Sequence, residues 1–209
     1  MIPLATRFDE AFWSAGLPRP SPSAFEDLAR RHAEPQRAYH VAAHLDEAFA
    51  WFDVVRHRCA HPGDVAIALC FHDAVYDPRA HDNEARSADL AASVLRSANA
   101  STATIERVTR LILATRHAAA PTDVDEAVLV DVDLSILGAS PERFAEYEAQ
   151  IRREYEWVDL AIYRRERARI LQSFLARPRL FATDELHMRL DADARENLQR
   201  SIAALTTNG

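Results

Sequence analysis

The sequence predicts an all-α protein, a helical bundle, on two observations. Glycine is scarce, 4 residues in 209, against roughly 7% in average proteins, and sheets joined by tight turns draw heavily on glycine. Apolar residues recur at steps of three and four along most of the chain, the spacing that lines one face of a helix. Apolar residues make up 48% and charged residues 27%, the balance of a globular chain with a sizeable core.

The elements follow in order. Leu4, Phe8, Phe12 and Trp13 mark a first helix. The turn Leu17-Pro18-Arg19-Pro20-Ser21-Pro22 leads, with Ser21 or Ser23 as cap, into a second helix carrying Phe25 and Leu28. Pro35 ends it, since proline cannot donate to a helix interior. From Tyr39 to about Arg56, the stripe Val41, Leu45, Ala48, Phe49 and Phe52 predicts one long amphipathic helix. His61-Pro62-Gly63-Asp64 breaks the chain, and Asp64 is expected to cap a nearly all-apolar helix ending near Ala74. A helix apolar all round belongs at the centre of a bundle. A polar loop from Tyr76 to Asn83 precedes helices expected at 84–97, 102–117 and 123–137. The stretch 141–176 is helix-spaced with a break near 156–159, and a last helix runs from about Asp184 to Leu205.

Composition excludes several functions. The net charge is −7, which argues against a nucleic acid duplex as partner. All 25 basic residues are arginine, so no lysine serves a phosphate loop or a Schiff base. Two cysteines, Cys59 and Cys70, make neither a disulfide framework nor a four-thiolate zinc site; Cys70, in an apolar run, is expected in the core. No basic-then-apolar leader and no run of eighteen apolar residues is present. No membrane partner and a cytoplasmic location are therefore expected.

The chemistry concentrates in three places. His40 and His44 stand four apart on an expected helix, which would put both on one face. His72 and Asp73 sit together at the end of the most apolar helix, where a carboxylate is costly to bury without a counter-charge. Asp131 and Asp133 interrupt the apolar run from Ala127 to Leu137. Histidine and aspartate delivered from otherwise apolar helices make a mixed nitrogen–oxygen donor set, suited to Mn, Fe, Co, Ni or Zn and tolerable for Mg. The lone alternatives are a surface histidine pair, a solvated Asp73 and a capping Asp131. His32, His57, His61, His81 and His187 have no partner pattern and read as surface.

Five ordered blocks carry a resemblance: Tyr39-His40-Val-Ala-Ala-His44; Phe71-His72-Asp73-Ala-Val-Tyr76-Asp77-Pro78; Asp82-Asn83-Glu84-Ala-Arg-Ser87-Ala88; Thr115-Arg116-His117; and Asp131-Val-Asp133-Leu134-Ser135-Ile136-Leu137-Gly138. Together they resemble the HD-domain superfamily of metal-dependent phosphohydrolases, in its small bacterial branch of predicted phosphohydrolases. The resemblance implies one HD-type helical domain over 1–209, with peripheral N- and C-terminal helices. It implies that His44, His72, Asp73 and one aspartate of the 131–133 pair ligate a divalent cation. The resemblance favours Asp133, since family members place the ligand in an aspartate followed directly by an apolar or basic residue and then a helix. Asp131, about 200° around a helix from it, does not easily serve the same site. A second cation is allowed. His40 matches the histidine that protonates the leaving oxygen in cyclic-nucleotide phosphodiesterases, although Val41 stands where those enzymes carry asparagine. His117 is implied as a second-metal ligand or phosphate contact, against the alternative of a histidine favoured at a helix C-terminus. Glu84 is implied as a holder of metal-bound water, against that of a first-turn glutamate complementing the helix dipole.

The function that the resemblance implies is hydrolysis of a small phosphate ester, a nucleotide among the candidates. Water would be activated by the cation, with His40 as general acid. A non-catalytic metal- or nucleotide-binding module and a non-haem iron oxygenase on the same fold are the alternatives. A homo-oligomer is compatible with the sequence.

Overall fold

The computed structural model describes residues 2–207. Among them the chain forms ten α-helices, two short 3-10 helices and no strand, so the fold is an all-α helical bundle. The helices are α1 (Leu4–Ser14), α2 (Pro22–Arg31), α3 (Ala42–Val55), α4 (Pro62–Phe71), α5 (Asn83–Ser97), α6 (Thr102–Ala114), α7 (Val124–Asp133), α8 (Pro141–Glu154), α9 (Leu160–Leu175) and α10 (Asp184–Thr207). The 3-10 helices are Arg56–Arg58 and Leu134–Gly138. No helix among the described residues is long and apolar enough to cross a membrane.

The chain divides into two compact units, the first ending at Asp133 and the second beginning at Leu134. In the first, α1, α3, α5, α6 and α7 all pack on α4. Every residue of α4 from Gly63 to Phe71 is buried, the central position that its unbroken apolar run predicts. Burial of Val65, Ile67, Leu69 and Phe71 stabilises the fold by about 1.5–3 kcal/mol for each side chain. Cys70 is fully buried among them, and burial pushes its thiol up to about 12. In the second unit α10 packs on α9 and on the Leu134–Gly138 turn. Asn197 anchors that turn by donating Nδ2 to the carbonyls of Leu137 (2.8 Å) and Ala139 (2.9 Å). A buried Arg167 pairs with Glu148, which also accepts from Ser201 at 2.8 Å.

Local chemistry sets the helix ends. Ser101, Ser140 and Asp159 each accept a backbone N–H of the first turn, as capping side chains do. Asp159 stands where the sequence predicts the break between α8 and α9. Two expectations at helix ends are corrected. Asp64 does not cap α4: His61 is the N-cap and Pro62 opens the helix. Asp64 lies in the first turn, buried, and receives the Arg107 guanidinium of α6 at 2.7 Å. The helix expected from Tyr39 begins at Ala42. Val41 is extended, and the His40 carbonyl is taken by Arg37 Nη1 at 3.1 Å. The His44 N–H turns to Val41 instead, at 3.0 Å.

Gly63 is where α1 and α4 meet. A Cβ there would stand 2.5 Å from the Ser14 carbonyl carbon and 2.6 Å from Ala15 Cα, and closer still to the Ala15 nitrogen. All three are backbone atoms that no rotamer change can move. Gly63→Ala is therefore expected to destabilise the protein by at least the 1–3 kcal/mol typical of overpacking. Urea unfolding checks this; an unchanged midpoint would show that the two helices separate freely.

Candidate metal centre

The centre is assembled from three helix ends. His44 comes from the first turn of α3, His72 is the residue that ends α4, Asp73 follows it, and Asp133 is the last residue of α7. One donor atom from each lies within 4.8 Å of all the others. His44 Nε2 is 3.2 Å from His72 Nε2, 3.6 Å from Asp73 Oδ2 and 3.3 Å from Asp133 Oδ1. His72 Nε2 is 3.0 Å from Asp73 Oδ2 and 3.3 Å from Asp133 Oδ1. With metal–ligand bonds of about 2.0–2.3 Å, neighbouring donors around one cation are about 3–3.7 Å apart. The donor set fits one divalent cation in type and in spacing.

The surroundings prepare these donors. Both histidines are buried and both aspartates partly so. His72 Nδ1 lies 2.9 Å from the Leu69 carbonyl. That carbonyl fixes Nδ1 as the donor, so in the neutral ring the Nε2 lone pair faces the centre. Burial lowers the His72 pKa, but the carboxylates of Asp73 and Asp133 outweigh it and hold the ring well above the usual imidazole value. Burial raises the two carboxylates, and the positive charge of His72 overcomes it, aided by His40 at Asp73 and by His117 and His44 at Asp133. Both end well below the ordinary carboxylate range. The two carboxylates thus favour positive charge beside them.

Asp133, rather than Asp131, belongs to the cluster. Asp131 is fully buried two residues earlier, about 200° around α7. His40 does not share a helix face with His44, because it precedes α3. A tight turn, Val41 N–H to Tyr39 carbonyl at 2.7 Å, still brings its ring centroid to 6.2 Å from that of His44. There it stacks on Tyr76, 4.1 Å between centroids at 27°. His117 lies beyond α6, which ends at Ala114 rather than continuing to 117. Its backbone is left-handed, φ 54°, a conformation uncommon outside glycine and frequent at functional sites. From there Nε2 reaches Asp133 Oδ2 at 3.0 Å. Glu84 lies in the first turn of α5, outside the four-donor set, paired with Arg116 at 3.7 Å.

Two buried groups, His32 and Arg37, escape a reading by pattern, as does the partner of the exposed His61. His32, expected at the surface, is 3% exposed. Neither of its ring nitrogens makes a well-formed hydrogen bond, although the nearby His40 carbonyl favours its charged form. Burial, followed by the charge of Arg37, lowers its pKa to about 4, so the ring is neutral near pH 7. His61 has a partner after all, Asp125 Oδ2 at 2.9 Å. Arg37, 5% exposed, donates to the backbone carbonyls of His40, Asp73 and Ala74. The one sequence signal for it is its place three residues before His40.

No protein-family model, curated protein or solved structure matches the chain. The resemblance to HD-domain phosphohydrolases rests on the motif residues, of which the structure brings four together as a cluster able to hold a metal ion.

Asp73→Ala is expected to lower metal affinity by more than about 100-fold, since losing even a group that only supports a ligand costs about 10–100-fold. The apoprotein should keep its helical circular dichroism, because removing one of two adjacent carboxylates relieves repulsion. Elemental analysis of the purified variant checks the first point; full metal retention would remove Asp73 from the ligand set.

Proposed function

We propose that the protein is a metal-dependent phosphohydrolase of HD-domain type acting on a small phosphate ester, a nucleotide among the candidates. The observation that carries this reading is the His44–His72–Asp73–Asp133 cluster with the His40 ring beside it. When bound, a divalent cation (Mn, Fe, Co, Ni, Zn or Mg) supplies positive charge to a phosphoryl oxygen and lowers the pKa of a coordinated water.

The chain's own residues do the rest. His44 and His72 offer imidazole nitrogens, and Asp73 and Asp133 offer oxygens, from three rigid helix ends. His40 is placed to hand a proton to the leaving oxygen, its ring held against Tyr76. His117 orients Asp133 through the 3.0 Å contact and is the group we assign to a second cation or to the phosphate. Glu84 is assigned to a water of the centre, with Arg116 as its partner. The exposed Arg79 and Arg86 are additional phosphate contacts in this reading. The free thiols of Cys59 and Cys70 suit the reducing cytoplasm.

A screen of the metal-loaded protein against nucleotides, phosphomonoesters and phosphodiesters tests the reading. Turnover of at least one class that disappears with Asp133→Ala is expected. Stoichiometric metal binding without hydrolysis of any ester would overturn the enzyme and leave a metal-binding module. On a substrate so found, His40→Ala should retain metal and lose about 10²–10⁴-fold in rate, the loss of a general acid. The loss should be smallest for a nitrophenyl leaving group, which needs little protonation. Should His40→Ala strip the metal, His40 is a ligand instead.

A further inference from the structure

Arg37 is buried to an extent arginine seldom reaches without paired partners, and its side chain has no exposed surface. Its donors are spread over two stretches of chain. Nε meets Glu34 Oε2 at 3.1 Å. Nη1 donates to the carbonyls of His40 (3.1 Å) and Asp73 (2.6 Å), and Nη2 to that of Ala74 (3.0 Å). The guanidinium carbon also lies 5.5 Å from the centroid of the Tyr76 ring, the ring on which His40 stacks.

The placement has a physical reason. Asp73 and Ala74 lie just past the end of α4, where carbonyls lack helical partners and the helix dipole favours a cation. The guanidinium fork satisfies both carbonyls and reaches the His40 carbonyl with the same plane. The peptide before α3 and the turn after α4 are thereby fixed against one another. Asp73 is one of the four donors, and His40 stands beside them. Arg37 holds both residues through their backbone carbonyls.

We infer that Arg37 is a positioning residue, a latch joining the His40 turn to the His72–Asp73 turn and so setting the place of the His40 ring and of the Asp73 carboxylate. This rests on the metal-centre reading for its consequence at the cation, but not for its consequence at His40. A hydrophobic side chain of similar volume would fill the space without joining the two segments. A lysine, a single point donor, would hold one carbonyl at a time.

The test uses the full chain with Arg37→Met and Arg37→Lys, read in two ways. In metal-free protein, the His40 Cε1–H resonance reports the Tyr76 stack through its ring current. In cobalt-titrated protein, affinity and the visible spectrum report the donors. Both variants are expected to keep wild-type helical circular dichroism. Arg37→Met should move the His40 resonance towards that of an unstacked imidazole, weaken cobalt binding by about 10–100-fold, and alter the spectrum. Arg37→Lys should fall between it and wild type. A merely structural arginine would lower the melting temperature and leave resonance, affinity and spectrum in place; that result overturns the latch. If Arg37→Met fails to fold, Arg37→Lys with wild-type values in both readouts overturns it equally. If the wild-type protein binds no cobalt, the metal reading falls, while a displaced His40 resonance in the variants still supports the latch.

Discussion

Two carboxylates, Asp73 and Asp133, are held with one oxygen of each within 4.8 Å of the other, and the centre is organised around that repulsion. Two unit charges at this distance repel by about 3–4 kcal/mol at an effective dielectric constant near 20. A globular fold tolerates that only with positive charge between them. The two carboxylates hold the His72 ring well above its usual pKa for this reason, and a divalent cation would supply the charge more fully. Each surrounding contact serves this constraint: the Leu69 carbonyl orients His72, His117 braces the far oxygen of Asp133, and Arg37 fixes the peptide that carries Asp73.

The fold places the constraint at helix ends. Helix α4 is the buried axis of the first unit, and its apolar run stops where the His72–Asp73 pair begins. Helix α7 ends on Asp133, and α3 opens on the turn that holds His44. Side chains at such ends are aimed by rigid backbone, and here the two carboxylates stay partly exposed while the two histidines are buried. The left-handed backbone of His117 belongs with this pattern, since a strained conformation persists where its surroundings fix it.

Much of this was legible in the sequence, for a definable reason. The apolar run of α4, the polar doublet that ends it and the aspartates interrupting α7 violate hydrophobic patterning, and such violations mark sites. The central position of α4 and the break near 156–159 followed from apolar periodicity alone. What escaped was decided by tertiary contacts. The apolar spacing through Tyr39 and Val41 suggested helix, but Arg37 claims the His40 carbonyl and delays α3 to Ala42. Arg37 and His32 gave no sign of burial, because both residue types are ordinarily solvated. Neither the resemblance nor the spacing could show that His117 lies past the helix end.

The central claim is that four donors from three helix ends surround one cation. An anomalous difference map from crystals grown with manganese, collected at the manganese edge, tests it most directly. The account predicts one strong peak about 2.0–2.3 Å from His44 Nε2, His72 Nε2, Asp73 Oδ2 and Asp133 Oδ1. A well-ordered crystal at millimolar manganese with no peak there, or with the metal bound elsewhere, would contradict it.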